Sequence, residues 1–197
     1  DTSGVDIFRI NLSHTKIEQY ENVITKVSKW TNKTIALDTE GAQLRTMDIK
    51  GETKLLEKNK RIYLVNSKNY TGEESQIPIN IDNLEKYLFA GDLLDIDFNS
   101  VLIQIIESHR EYAVARVISK GIIGSNKGIS IDKELSLPSF TNKDLEAIVI
   151  AKRLRQKTIF ISFCSSAEQI RFLRDKFSYK VNVIAKVEST QGLRNLN

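Results

Sequence analysis

Apolar positions along this chain run in two rhythms, one at each end and a different one in the middle. From Val5 to Leu12 the residues Val5, Ile7, Phe8, Ile10 and Leu12 are dense enough for a nearly buried strand, yet Arg9, Asn11 and Ser13 interrupt at every second position. Side chains alternate across a strand, so those three polar groups are expected to share one face. Thr15-Lys16-Ile17-Glu18 reads as a capping box. Ile17, Tyr20, Val23, Ile24, Val27 and Trp30 follow at helical spacing and predict one apolar stripe. A second strand, Thr34–Thr39, is ended by Gly41. Strand, helix and strand in that order imply parallel pairing through a right-handed crossover.

From about Met47 to Leu135 the helical period is lost. Short strands are predicted at Arg61–Val65, Leu93–Asp97, Val101–Glu107 and Tyr112–Ser119, separated by turns at Asn66, Gly72, Gly91 and Gly121. This predicts a small, mostly antiparallel β domain over 47–135, inserted into an α/β domain made of 1–46 and 136–197. Past Pro138 the first rhythm returns. Thr141-Asn142-Lys143-Asp144 caps a helix to about Leu154, and Thr158–Phe163 is a strand. Ser166-Ala167-Glu168-Gln169 caps a helix bearing Ile170, Leu173 and Phe177, and Val181–Glu188 is the last strand, with a further helix expected towards Asn197. The alternation argues for part of a parallel (β/α) barrel or a doubly wound sheet.

Every strand of the α/β part ends in polar residues: Asn11, Ser13 and His14; Asp38, Thr39 and Glu40, then Arg45; Ser162; Lys186 and Glu188. Strand C-terminal ends are where barrel enzymes keep their active sites. Asn11, Ser13, Asp38 and Thr39 are oxygen donors suited to a hard cation, or equally to capping the turns that follow. Lys186 and Glu188 share a face of their strand, either as a mutually neutralising pair or as part of a site. The polar face of the first strand is open to two readings, a solvated surface or the wall of a phosphate- or metal-binding cavity.

Composition narrows this. The hydrophobic share of 41% and charged share of 27% over 197 residues are those of an ordinary globular chain. No apolar run is long enough to span a bilayer. A net charge of +4, without a Lys/Arg stripe interleaved with aromatics, suits anionic small molecules and not a nucleic-acid groove. Cys164 is the single cysteine, which excludes an internal disulfide and favours a reducing compartment.

The segments FRINLSH, ALDTEGAQLRT, GSNKGISI with LSLPSFTNKD, IFISF and VIAKVESTQG resemble those of pyruvate kinase, in that family's order and across most of the chain. The resemblance implies a partial (β/α)8 TIM barrel carrying an inserted small all-β lid, with this chain supplying barrel strands two to five and the lid. It implies phosphoryl transfer from phosphoenolpyruvate to ADP, giving pyruvate and ATP in glycolysis, with Mg2+ (or Mn2+) and K+ as cofactors. A cytoplasmic protein, homotetrameric at full length, is implied as well. Position by position, Asn11, Ser13, Asp38 and Thr39 match the potassium ligands. Arg9 and Arg45 match arginines near the phosphates, and His14 and Lys127 fall at nucleotide- or phosphate-binding positions. Lys186 matches the lysine that stabilises the phosphoryl group in flight, and Glu188 matches a magnesium ligand.

The chain departs from the family at Glu40 and Ala42, where lysine and proline are usual. It departs again at Cys164-Ser165-Ser166, where a basic residue is usual, and at Asp97-Phe98-Asn99, which replaces an acidic-acidic-glycine turn. These departures leave a second reading, a catalytically degenerate relative that binds a phosphorylated ligand in a regulatory role. A third is another barrel enzyme acting on phosphoenolpyruvate or pyruvate through one divalent ion. Because four parallel strands cannot close a (β/α)8 barrel, the segment alone is expected to be inactive and poorly soluble.

Overall fold

The computed structural model describes residues 4–133 and 135–196. Along the chain run β1 (Ile7–Asn11), α1 (Ile17–Ser28), β2 (Thr34–Asp38), β3 (Leu44–Arg45), β4 (Thr53–Leu56), β5 (Arg61–Asn66) and β6 (Gln76–Ile79). There follow β7 (Leu93–Ile96), β8 (Val101–Ser108), β9 (Tyr112–Ser119), β10 (Gly121–Gly124) and β11 (Gly128–Ile131). The chain closes with α2 (Asn142–Arg153), β12 (Thr158–Ile161), α3 (Ala167–Asp175), β13 (Asn182–Ala185) and α4 (Thr190–Arg194). These elements form two compact units, one of residues 1–42 and 137–197 and one of residues 43–136.

The first unit is a four-stranded parallel sheet in the order β1-β2-β12-β13. Strand periodicity divides its side chains between two faces. Ile10, Ile35, Leu37, Ile159, Ile161 and Val183 point to the side covered by the helices, where Tyr20, Ala147, Ile148 and Leu173 complete the core. Arg9, Asn11, Asp38, Phe160, Ile184 and Lys186 occupy alternate positions and so belong to the opposite face. The central strand β2 is buried from Ala36 to Asp38, whereas Ile7 and Ile184 on the edge strands are more than a third exposed. Thr141 with Asp144, and Ser166 with Gln169, form capping boxes, so α2 and α3 begin where their sequences signal.

Several elements differ from the sequence reading. Leu12–His14 is a 3-10 turn capped by the Asn11 side chain, so the polar row of Arg9 and Asn11 stops before Ser13. That turn uses the Thr15 amide to bond the Leu12 carbonyl, and α1 begins after Lys16 with no side-chain cap in place of the expected Thr15 box. The helix ends at Ser28, leaving Trp30 exposed instead of on the apolar stripe. The third strand stops at Ile161, because Phe163 turns into the left-handed region at φ 51°. The last ends at Ala185, although the Lys186 amide still bonds the Ile161 carbonyl.

The second unit holds a seven-stranded sheet, β3-β11-β7-β8-β9-β5-β6, antiparallel except for the β5–β6 pair. A bridge between Thr46 and Ile79, with hydrogen bonds between Arg45 and Asn80, joins its two ends into a nearly closed barrel. Closure removes exposed strand edges. A separate β4–β10 ribbon completes the unit. All four strands read from the sequence here are present. The strands β3, β4, β6, β10 and β11 lack its alternation signal, being only two to four residues long.

Candidate active site

The C-terminal ends of the parallel strands gather charge around one carboxylate. Asn11 is the pairing partner of Asp38 across β1 and β2, and Phe160 of β12 pairs with Asp38 on its other side. Asp38 is fully buried, which is costly for a carboxylate unless its oxygens are met. They are met from three directions. Arg9 Nη1 lies 3.2 Å from Oδ2. Lys186 Nζ lies 3.1 Å from Oδ1 and 3.4 Å from Oδ2. The Ser162 hydroxyl lies 3.2 Å from Oδ1 and shares its one proton between that oxygen and the nearer Thr39 carbonyl.

The two cations keep capacity for a further anion. Arg9 is 46% exposed and its guanidinium carbon sits 5.9 Å from the centre of the Phe160 ring, so most of its five donors are uncommitted. The Lys186 side chain is 22% exposed and also lies 3.6 Å from Glu188 Oε1. Glu188 is steadied through Oε2, which accepts from the Phe163 amide at 3.0 Å. Two carboxylates, Asp38 and Glu188, balance the two cations, Arg9 and Lys186, so the cluster is formally neutral and offers an anion the uncommitted donors of Arg9, not an excess of positive charge.

Oxygen donors cluster on the same strand ends. The Thr39 amide bonds the Phe160 carbonyl, its hydroxyl accepts from the Ser162 amide at 3.0 Å, and its carbonyl accepts from the Ser162 hydroxyl. Asn11 Oδ1 accepts from the Ser13 amide at 2.9 Å. Each of these oxygens retains a second lone pair. Asn11, Asp38 and Thr39 thus lie on adjacent strand ends, while Ser13 sits on the 3-10 turn and is tied to Asn11 through its amide. Among the described residues no group of three or more His, Cys, Asp or Glu could hold a metal.

The remaining predicted residues divide between the two units. His14 is exposed on the 3-10 turn. Arg45 and Lys127 belong to the second unit, where Arg45 donates to the Asn126 carbonyl and Lys127 pairs with Asp97 at 3.1 Å. That pair holds the Asp97-Phe98-Asn99 turn, whose three residues all have positive φ. Two participants escaped the sequence reading of the site. Ser162 showed as a polar strand end, but its links to both Asp38 and Thr39 join residues over 120 positions apart. Asp144 showed only as a helix cap. Its buried carboxylate also accepts from the amides of Glu40 and Gly41. Burial pushes the Asp144 pKa up, and the backbone donors at Thr141, Glu40 and Gly41 offset this in part.

A parallel α/β sheet with its charged residues at the strand C-termini is the architecture of barrel enzymes. The family model for the pyruvate kinase barrel domain matches residues 1–197. Among curated relatives, the pyruvate kinase of Thermococcus litoralis is 28% identical over 99% of this chain and 43% of its own length. That of Lactobacillus delbrueckii subsp. bulgaricus is 28% identical over 99% and 35%, and that of Leishmania mexicana 27% identical over 99% and 42%. The chain belongs to the pyruvate kinase family. It spans about two fifths of the length of these relatives and corresponds to part of their barrel domain.

Proposed function

We propose that the complete gene product is a pyruvate kinase, transferring the phosphoryl group of phosphoenolpyruvate to ADP in the cytoplasm as a step of glycolysis. The observation that carries this reading is the Arg9–Asp38–Lys186 arrangement, with Glu188 alongside, at the ends of parallel strands. Phosphoryl transfer needs positioning and charge compensation more than a protein nucleophile. Arg9 would bind the phosphate of phosphoenolpyruvate with its free donors. Lys186 would meet the charge that develops as the bond from phosphorus to the enol oxygen breaks and that to a β-phosphate oxygen of ADP forms. The enolate left behind takes a proton to become pyruvate. Asp38 does not react; it holds both cations in place. Arg45, Lys127 and His14 would contact phosphates or nucleotide, and the inserted unit would act as a lid.

K+ would be held by Asn11, Ser13, Asp38 and Thr39, and Mg2+ or Mn2+ by Glu188. These ions supply positive charge that neutralises the phosphates when bound. By likeness to the family the assembled protein is a homotetramer. The test is pyruvate formation by the complete gene product, measured with phosphoenolpyruvate, ADP, Mg2+ and K+, each omitted in turn. Turnover lost on omission of any one supports the reading, and no turnover with all four present refutes it.

A second reading, a relative that binds a phosphorylated ligand without turning it over, draws on two features. Glu40 pairs with Lys143 at 2.7 Å, and the Ser165 amide and hydroxyl are both taken up by Gln169. Phosphoenolpyruvate binding by calorimetry with no turnover would favour it.

A further inference from the structure

Two consecutive residues in the first turn of α2 reach the ends of both strands that carry the candidate cation donors. Lys143 Nζ donates to the Leu12 carbonyl at 2.5 Å, and Leu12 lies between Asn11 and Ser13. The same ammonium pairs with Glu40 Oε1 at 2.7 Å. Asp144 Oδ1 accepts from the Glu40 amide at 2.7 Å and Oδ2 from the Gly41 amide at 3.1 Å, directly after Thr39. Oδ2 also accepts from the Thr141 amide at 3.0 Å, which fixes the carboxylate to its own helix end.

These are not surface contacts. Asp144 is fully buried and the Lys143 side chain is 27% exposed. Each spans about a hundred residues of sequence or more, so neither arises from local helix capping alone. Capping α2 needs only the Thr141–Asp144 box. The additional bonds to Leu12, Glu40 and Gly41 go beyond that need, and they converge on the two turns that must keep four oxygens at fixed separation.

We propose that Lys143 and Asp144 are positioning residues for a monovalent-cation site formed by Asn11, Ser13, Asp38 and Thr39, Lys143 setting the β1 end and Asp144 the β2 end. This rests on the potassium site of the proposed function. Outer groups that hold metal ligands in place typically account for 10- to 100-fold in metal affinity, and a drop of about 10-fold is expected here. The acceptor geometry also explains Glu40. Its carboxylate takes the Lys143 ammonium and accepts from the Thr141 hydroxyl at 3.3 Å, so its charge is neutralised within the clamp.

The experiment uses the complete gene product and the variants Lys143→Met, Lys143→Arg, Asp144→Asn and Thr141→Ala. Cation binding is read without turnover, as the rise in Tm on titration with KCl at ionic strength held constant with a tetraalkylammonium salt. The half-saturating K+ concentration for activity is read in parallel. The inference expects Lys143→Met and Asp144→Asn to raise both midpoints about 10-fold, with kcat at saturating K+ nearly retained and with Lys143→Arg recovering most of the loss. Thr141→Ala, which removes the helix cap and the 3.3 Å bond to Glu40 but leaves the bonds to the Leu12 carbonyl and to the Glu40 and Gly41 amides, should lower Tm with the K+ midpoint moved far less than in Lys143→Met or Asp144→Asn. Midpoints unchanged in Lys143→Met and Asp144→Asn overturn the inference while leaving the potassium site standing. No K+ response in the unmodified protein overturns the potassium site itself, and the inference with it.

Discussion

Replacing Lys186 by methionine keeps the length and apolar body of the side chain and removes only its charge. In the structure that charge sits 3.1 Å from Asp38 Oδ1, a gross attraction of about 5 kcal/mol at an effective dielectric of about 20. Most of it will not appear as lost stability, because Arg9 at 3.2 Å and the Ser162 hydroxyl still meet the carboxylate. Stripping one partner from a buried pair costs about 3–5 kcal/mol. With two of three partners kept and the ammonium partly solvated, about 1–2 kcal/mol is expected from urea unfolding. The loss in turnover should be larger. A preorganised donor aimed at developing charge contributes about 3–4 kcal/mol, a drop in kcat of about 10²- to 10³-fold. The KM for phosphoenolpyruvate should move by less than about 3-fold, since Arg9 retains the phosphate and the lysine acts mainly in the transition state. The assay is steady-state pyruvate formation at saturating ADP, Mg2+ and K+. A variant with kcat within about 3-fold of the unmodified protein would refute the role, leaving Lys186 as a structural counter-ion of Asp38.

Three further outcomes follow from the same geometry. Gly41→Ala places a Cβ 2.4 Å from the Ser162 carbonyl oxygen on a backbone at φ 74°, so strain and displaced backbone should cost about 2–4 kcal/mol; a Tm unchanged by the substitution would contradict this. Tyr20→Phe removes the donor that lies 2.6 Å from Gln156 Oε1 in the core beneath β2, and the stranded acceptor should cost about 1–3 kcal/mol in urea unfolding, with less than additive loss when combined with Gln156→Leu. Burial pushes the Cys164 thiol up, so the unfolded chain ionises at a lower pH than the folded one. The stability this contributes is full below the ordinary thiol range and falls as pH rises through about 8.5 and beyond; Cys164→Ala should flatten that alkaline loss, and an identical pH slope would count against it.

Much of the α/β unit was legible because its signals are local. Capping boxes at Thr141 and Ser166 are satisfied within four residues, and the alternation of Arg9 and Asn11 along β1 needs only a strand to be true. The facing of Arg9, Asn11, Asp38 and Lys186 onto one side likewise follows from the two-residue period once the strands are parallel. Where a signal was local but contested, it failed. The Thr15 box lost to a 3-10 turn that already uses the Thr15 amide, and Trp30 lost its stripe because α1 stops two residues earlier. The short strands β3, β6 and β11 carry no period to read, since their pairing is decided by closure of the second unit's barrel.

Sequence by itself determined the residue types at the strand ends, the parallel order of the elements, and the family likeness of the whole segment. Which group answers which was decided by tertiary structure. Asp38 could have capped a turn, and Lys186 could have spent its charge on Glu188 alone. Burial of Asp38 to zero exposure made an unpaired carboxylate too costly, and the two cations that meet it lie 29 and 148 positions away. Asp144 obeys the same rule, since a helix cap folded against β2 found two orphan amides at Glu40 and Gly41 that no local pattern announces.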